Sequence, residues 1–396
     1  MQPLEQINLF DLTPGTGCPV RIFAATLPED RQGRKRLVSG AGATLQEAMA
    51  RCRSEANERH YASVSQSGRL AVVRQSYTSL GDSAIYPPSI SLYSDRQYQD
   101  RDNWNASHAI PHQIPQPFDA NGENEWLCGY EAKSDRLRYV PAAACLLGYP
   151  DALDRGFPVP DSSGLASAST LEGARESALL ELIERDAVAI WWYNHALRPE
   201  IVDHSVHPLC LELVNWEMHC GRRAWLLDIT HDIAVPAVAA ISSNQDGRDL
   251  AFGFGCGWTL SDAGAAAARE LVQFEVTKSF RRSTSGSLQD DWIDWTRTAS
   301  IHDHVFLKPH DVEARSVALA PSRSDLVEDL NSRGVGVVFV ELHSDDEAQF
   351  VVRAIAPGLR PWWPRFAPGR LYDVPRLLAW KRQHTRLGLN PVPILF

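Results

Sequence analysis

The chain has 396 residues, 44% hydrophobic and 22% charged, which is enough apolar content for a substantial core. Asp and Glu outnumber Lys and Arg 49 to 39, a formal charge of -10, so a basic nucleic-acid-binding surface is excluded, since neutralising phosphates takes clustered cations. Five of the basic residues are lysines and no Gly-Lys dipeptide occurs, which excludes a P-loop.

Seven cysteines (Cys18, Cys52, Cys128, Cys145, Cys210, Cys220, Cys256) are odd in number, scattered and without a C-x-x-C pair. Neither a disulfide framework nor a zinc ribbon fits that spacing; small apolar packing in a reducing cytoplasm does. The start, MQPLEQINLFDL, lacks a basic segment followed by a long apolar stretch, so it is no secretory signal. The longest apolar runs, such as 234–241 and 335–340, are strand-length and too short for a bilayer. The expectation is a cytoplasmic protein with no membrane or nucleic-acid partner.

In chain order, residues 1–37 read as an irregular N-terminal edge segment, with a Thr-Pro-Gly-Thr-Gly stretch and a solvated basic cluster at 31–36. Residues 38–396 read as one domain, including a Pro-rich tail at 388–396. Up to about residue 280, short β-branched runs alternate with helical patterns, and 281–312 is polar and loop-like. Residues 325–332 predict a helix stopped by Gly334, then 335–342 a strand and 351–355 another. From Pro357 onward, prolines forbid long regular structure. Among lesser motifs, Gly81-Asp82-Ser83 reads as a loop and His302-Asp303-His304 as a solvated connector. Trp191-Trp192 reads as core packing, and Trp362-Trp363, flanked by Pro and Arg, as an interface pair.

The informative pattern is an internal repeat. Gly40-Ala-Gly-Ala-Thr44-Leu45-Gln-Glu-Ala48 runs on to Glu55-Ala-Asn-Glu58-Arg59. Ala166-Ser-Ala-Ser-Thr170-Leu171-Glu-Gly-Ala174 runs on to Glu181-Leu-Ile-Glu184-Arg185. Gly255-Cys-Gly-Trp-Thr259-Leu260-Ser-Asp-Ala263 runs on to Glu270-Leu-Val-Gln273. All three align without gaps. The small residues permit a tight reversal or close backbone approach. Thr44, Thr170 and Thr259 are candidate N-caps, with Glu47 and Asp262 three residues on, where a capping box places its acid. Three strand-turn-helix units thus each deliver E-x-x-E/Q at one depth on a helix.

Helical positions i and i+3 are neighbours, about 5–6 Å apart at Cβ, so Glu55 with Glu58 and Glu181 with Glu184 set like charges side by side. Ordinary i,i+4 salt bridges, Glu55–Arg59 and Glu181–Arg185, are the bland account of one such string. Repetition, and the apolar content of the second helix, point beyond it. Carboxylates on a buried helix demand partners, and a divalent cation with oxygen ligands is the natural one. Mg²⁺ typically takes one or two carboxylates plus substrate phosphates.

SSGLASASTLEGARESALLELIERDA, GAGATLQEAMARCRSEANERH and RFAPGRLYDVP resemble the YcaO family, most nearly its azoline-forming cyclodehydratases of ribosomal peptide biosynthesis, over about residues 38–396. The resemblance implies an α+β, YcaO-type fold of repeated strand-turn-helix units with ATP and Mg²⁺ between helices. It assigns Glu55, Glu58, Glu181 and Glu184 to metal and phosphate binding and Arg59 and Arg185 to the triphosphate, which their planar forks suit. Ser177, Glu270 and Gln273 match further nucleotide-binding positions, and Ser162 and Ser163 a phosphate-approaching turn with Gly164. Three departures stand out. Ala41 replaces the Lys of a frequent G-K-G, Gly173 stands where some members carry an acid, and Pro391-Val-Pro393-Ile-Leu395-Phe396 lacks the last proline of P-x-P-x-P. In the family this tail reaches the active site, so the Phe396 carboxylate is a candidate proton acceptor.

The implied reaction starts with a Cys, Ser or Thr side chain of a ribosomal precursor peptide attacking the preceding backbone carbonyl. The resulting hemiorthoamide oxygen takes the γ-phosphoryl of ATP, and phosphate leaves to give thiazoline or oxazoline. The protein supplies positioning and charge neutralisation and needs no nucleophile of its own. The chain begins close to its first motif, so a leader-recognising partner protein (E1-like or similar) is expected, with a homodimer as a further assembly. Thioamide or amidine formation, or a degenerate nucleotide-binding scaffold, are the alternative readings.

Overall fold

The structure, a computed structural model, describes residues 7–27, 37–202, 207–284, 291–313, 322–344, 349–382 and 388–394. In chain order the strands are β1 (Leu9–Asp11), β2 (Arg21–Thr26), β3 (Leu37–Gly42), β4 (Val72–Ser76), β5 (Glu123–Glu131) and β6 (Leu137–Pro141). They continue as β7 (Leu165–Ala168), β8 (Arg222–Asp228), β9 (Ala237–Asn244), β10 (Ala251–Cys256), β11 (Val338–Ser344) and β12 (Phe350–Ile355). The longer helices are α1 (Leu45–Tyr61), α2 (Leu171–Tyr193), α3 (Pro208–His219) and α4 (Leu260–Thr284). Two compact units result. The first comprises Met1–Ala56, Ala187–Pro321 and Asp373–Phe396; the second comprises Asn57–Asp186 and Ser322–Tyr372.

The first unit holds two antiparallel sheets, β1-β2-β3 and β10-β9-β8. β9 (AVAAISSN) is buried through Ser243, and its unbroken apolar run suits a central strand covered on both faces. α4 packs on β9 and β10, with Leu213, Val238, Ala267 and Leu271 in the shared core. The approach is close because the strands carry glycine. A Cβ on Gly255 would stand 2.2 Å from the Ala263 carbonyl oxygen, and one on Gly40 2.2 Å from Cys52 N on α1. Gly40 and Gly255 occupy the same position in the repeat, which is why its small residues recur. Trp191 and Trp192, both fully buried, meet Phe306, and Trp192 also meets Phe252, Trp292 and Trp295, as the core reading of this pair expects.

The second unit is built on a six-stranded sheet ordered β4-β5-β11-β12-β7, with β6 paired to β5. Its pairs are antiparallel, and β12 sets Phe350 opposite Ala168 and Arg353 opposite Leu165. Leu127, Val140, Phe157, Val340 and Val351 form its core.

Several expectations need correction. Within 1–37, β1 and β2 pair in antiparallel register up to β3, because Ile22 to Ala25 form a short buried run that the neighbouring Pro-Gly turn signals obscure. The basic cluster lies outside the described residues. The stretch read as a loop from 281 carries the end of α4 and a helix, Asp291–Thr298, whose Trp292 and Thr296 are buried one turn apart. A helix, Arg370–Leu377, also forms beyond Pro357 and contains Pro375. His302 and Asp303 are exposed, as a solvated connector requires, whereas His304 is half-buried and packs edge-on against Trp295 and Phe306. The helix near 325–332 spans Arg323–Ser332, and Gly334 follows it at φ +76°.

An ion network is buried in the first unit. Arg222 donates to Glu217 (2.9 Å) and Asp249 (3.0 Å) and pairs with Glu275 (2.6 Å), while Lys278 donates to Asp249 (2.9 Å). Three carboxylates therefore share two cations. Burial, then the neighbouring Glu275, push the Glu217 carboxyl up to about 7 against the pull of Arg222 and Ser242.

Two outcomes follow from this packing. Gly255→Val forces a side chain into the α4 backbone and is expected to cost about 1–3 kcal/mol or more in urea denaturation; wild-type stability would contradict the packing described. Glu217 is protonated in the folded chain and ionised in the unfolded chain between the ordinary carboxylate range and about pH 7. Its contribution is therefore complete at acid pH and lost as pH rises through that window. Glu217→Gln should flatten the fall in melting temperature over the window, and an unchanged slope would show that Glu217 is not its source.

Candidate functional site

The repeat places its acids through capped helices. Thr44 Oγ1 accepts from Glu47 N (3.2 Å), Thr170 Oγ1 from Gly173 N (3.1 Å) and Thr259 Oγ1 from Asp262 N (3.1 Å). The acids at the third helical position do not return to the cap N–H. Glu47 accepts from Ala43 N (3.0 Å), and the shorter Asp262 accepts from the Thr259 hydroxyl (2.7 Å).

About 16 Å further along each helix axis, by 1.5 Å per residue, come the E-x-x-E/Q residues. In the second unit, Glu181 Oε2 accepts from Gly164 N (3.2 Å), 17 residues back in the segment that feeds its own helix. In the first unit, the Glu270 carboxylate likewise accepts from Phe254 N, 16 residues back on β10. The next motif position reaches to a different strand. Glu58 Oε1 accepts from Ser167 N on β7 (3.0 Å), and Gln273 Nε2 donates to Ser39 Oγ on β3 (2.8 Å).

Within the second unit this gathers Glu58, Glu181, Glu184 and Arg185. Gly164 and Ser167 are three residues apart, so the backbone N–H groups held by Glu181 and Glu58 are at most about 10 Å apart. Arg185 bridges the i,i+3 pair, donating through Nη1 to Glu184 (2.5 Å) and through Nη2 to Glu181 (3.0 Å). Its guanidinium lies 3.6 Å from the Trp362 ring centroid. The three side chains are only 11%, 13% and 23% exposed for Arg185, Glu184 and Glu181, so this is not a solvated surface pair. Trp362 is accordingly a buried platform, not the interface residue expected.

The turn before α2 is built for close approach. Ser163 N donates to Asp161 Oδ1 (2.8 Å) and Leu165 N to the Ser162 carbonyl (2.9 Å). Gly164 has φ +76°, and a Cβ there would meet the Ala354 carbonyl oxygen at 2.7 Å and Leu182 Cδ2 at 2.8 Å. Ser163 is buried, Ser162 half-buried and Ser177 exposed on α2. Glu55 and Arg59 are half-buried on α1, with Glu55 in the first unit and Arg59 in the second. Phe396, with Leu395, lies outside the described residues.

Sequence reasoning missed two acids beside these residues. Burial would raise the Asp161 carboxyl, but Arg353 and Arg365, with the Trp363 indole and Ser163 N–H, hold it below the usual range. Its signal is the Asp-Ser-Ser-Gly string, which reads as an Asx turn. Asp186, directly after Arg185, is fully buried and accepts from Arg370 Nη2 (2.6 Å) and Arg360 N (2.7 Å). This pairing explains the second arginine of RFAPGRLYDVP, Arg370; nothing local in the sequence announces it.

Among the described residues, no group of three or more His, Cys, Asp or Glu side chains is disposed as a closed metal cage. Carboxylate oxygens nonetheless fit Mg²⁺, which takes one or two of them and completes its shell with phosphates and water. Among the described residues none of the seven cysteines forms a disulfide; burial pushes Cys145 up to about 12 and Cys52 and Cys210 up to about 11, so these three are poor nucleophiles. No helix of the described residues is long and apolar enough to cross a membrane.

Residues 39–360 match the family model described as YcaO cyclodehydratase, ATP- and Mg²⁺-binding. The structure is similar to that of a heterocyclase solved in complex with substrate and cofactor, at 30% identity and TM-score 0.85, covering 98% of this chain and 54% of that one. The chain thus spans about half the length of that heterocyclase. A YcaO from Methanopyrus kandleri bound with AMPPCP and Mg²⁺ shares the fold, at 19% identity and TM-score 0.65, over 92% of this chain and 89% of that one. An uncharacterised protein of Methanothermobacter thermautotrophicus (strain Delta H) is 26% identical, covering 86% of each chain. With most of its length matched by the family model, the chain belongs to the YcaO family, whose α+β fold it shares.

Proposed function

We propose that this chain is the ATP-dependent cyclodehydratase that forms azolines from Cys, Ser or Thr in a ribosomally made precursor peptide. The observation that carries the reading is the gathering of Glu58, Glu181, Glu184 and Arg185 in poorly exposed positions. Like-charged carboxylates kept out of solvent are costly to a fold unless they hold a cation. In this reading Glu55, Glu58, Glu181 and Glu184 offer oxygens to Mg²⁺. Arg59, Arg185, Ser177, Glu270 and Gln273, with the Ser162–Ser163 turn, hold the nucleotide. Bound ATP supplies the phosphoryl group that turns an amide-derived oxygen into a leaving group.

The chain's own share is to orient and to neutralise. Arg185, stacked on Trp362 and tied to two carboxylates, is fixed before any ligand arrives, as preorganised charge stabilisation requires. Gly164 keeps the backbone free of a side chain beside Glu181. The raised pKa of the buried thiols agrees with a reaction whose nucleophile belongs to the peptide. The terminal carboxylate of Phe396 is proposed to accept the proton. A leader-recognising partner protein is proposed to present the precursor in the cytoplasm.

Glu58→Gln and Glu184→Gln test the assignment, since the amide oxygen of Gln can still accept the hydrogen bonds that Glu58 and Glu184 accept. Each is expected to keep its melting temperature while weakening Mg²⁺-dependent binding of a non-hydrolysable ATP analogue by at least about tenfold, about 1.4 kcal/mol, in titration calorimetry. With precursor and partner present, mass spectrometry should show loss of one water per ring from wild type alone. Full nucleotide affinity in both variants, or oxygen-to-sulfur exchange in the peptide, would contradict the reading.

A further inference from the structure

The second unit encloses a cavity of about 100 Å³ that Arg185 borders. Its lining combines the apolar Ile90, Phe157, Leu182, Ile355 and Leu359 with Ser163, Arg353, Arg360 and Arg365 and a single acid, Asp161. Arg353 and Arg365 are only 5% and 7% exposed. Arg353 Nη1 donates to the Asp161 carbonyl (2.7 Å), and its Nη2 stands 3.8 Å from Asp161 Oδ1. The Arg365 guanidinium lies 5.4 Å from the Tyr93 ring centroid. A carbonyl or a ring face satisfies part of a guanidinium without neutralising it. The one carboxylate is shared by both arginines and already accepts from Ser163 N and the Trp363 indole. Among the described residues, the Nε–H groups of Arg353 and Arg365 are buried without a hydrogen-bond partner. Unmet buried donors and surplus buried positive charge are both costly.

We propose that this cavity is a carboxylate-recognition pocket for the substrate peptide, with the anion on Arg353 and Arg365 and its aliphatic stem against Leu182, Ile355 and Leu359. That the ligand is a peptide rests on the function proposed above; the pocket's chemistry does not. Planar guanidinium forks match a carboxylate bidentately. The apolar lining residues distinguish the ligand from inorganic phosphate, which has nothing to place against them. The carboxylate comes from an Asp or Glu side chain or from a free C-terminus, so the pocket selects peptides by an acidic group near the residue modified.

Calorimetry on the full chain without nucleotide tests this separately from catalysis. The probes are N-acetyl-leucine (terminal carboxylate), N-acetyl-glutamate α-amide (side-chain carboxylate), N-acetyl-leucinamide (no charge) and inorganic phosphate. The expected result is millimolar binding of one carboxylate probe, which identifies the source, and none of the leucinamide. Arg365→Met should weaken that binding at least about tenfold, about 1.4 kcal/mol, and Arg365→Lys, which keeps the charge, should restore part of it at an unchanged melting temperature. Failure of both carboxylates to bind, equal binding of the leucinamide, or phosphate binding as tightly as either would overturn the proposal. ATP binding lost in Glu58→Gln alongside such a failure would leave the proposed function standing and remove the pocket alone.

Discussion

A glutamate deep in a helix returns to the backbone that feeds that helix, and much of the structure follows from this hydrogen bond. Glu181 does so to Gly164 N and Glu270 to Phe254 N. A carboxylate withdrawn from water needs compensation, and a backbone N–H is a fixed donor that cannot move away. Meeting it sets the register of helix on strand. That register in turn demands small residues where the two backbones touch, as at Gly255 beneath Ala263. The second acid of the motif is then free to reach another strand, as Glu58 does to Ser167.

The cost of this arrangement is crowded like charge, and the structure answers it with arginine. Arg185 spans Glu181 and Glu184 and rests on Trp362, and Arg370 spans both oxygens of Asp186. The whole chain carries a charge of -10, which opposes the approach of any polyanion at long range. Local, poorly solvated guanidinium groups are what make an anion welcome at short range. The same contrast holds at the cavity, where Arg353 and Arg365 face one acid.

Features that repeat at fixed spacing were legible in the sequence because helix geometry converts spacing into position. The three threonines cap their helices, strands precede each, and Glu181 and Glu270 sit at one depth. The YcaO family followed from the same strings. Features that depend on residues remote in sequence were not legible. Asp186 meets Arg370 184 residues away, and Trp363 meets Asp161 202 residues away. Short elements were also lost to their surroundings. β2 hides four buried residues behind a Pro-Gly turn, and the helix at Asp291–Thr298 buries Trp292 among polar neighbours. The central strand β9, buried on both faces, shows no alternation to read.

The account stands or falls on whether carboxylates of the second unit hold magnesium with a nucleoside triphosphate. A crystal structure of the chain with Mg²⁺ and a non-hydrolysable ATP analogue addresses this directly. The account predicts a metal about 2.0–2.1 Å from a carboxylate oxygen of Glu58, Glu181 or Glu184, with phosphate oxygens completing its shell. A nucleotide whose magnesium touches none of the three, with Arg185 still closed on Glu181 and Glu184, would contradict it.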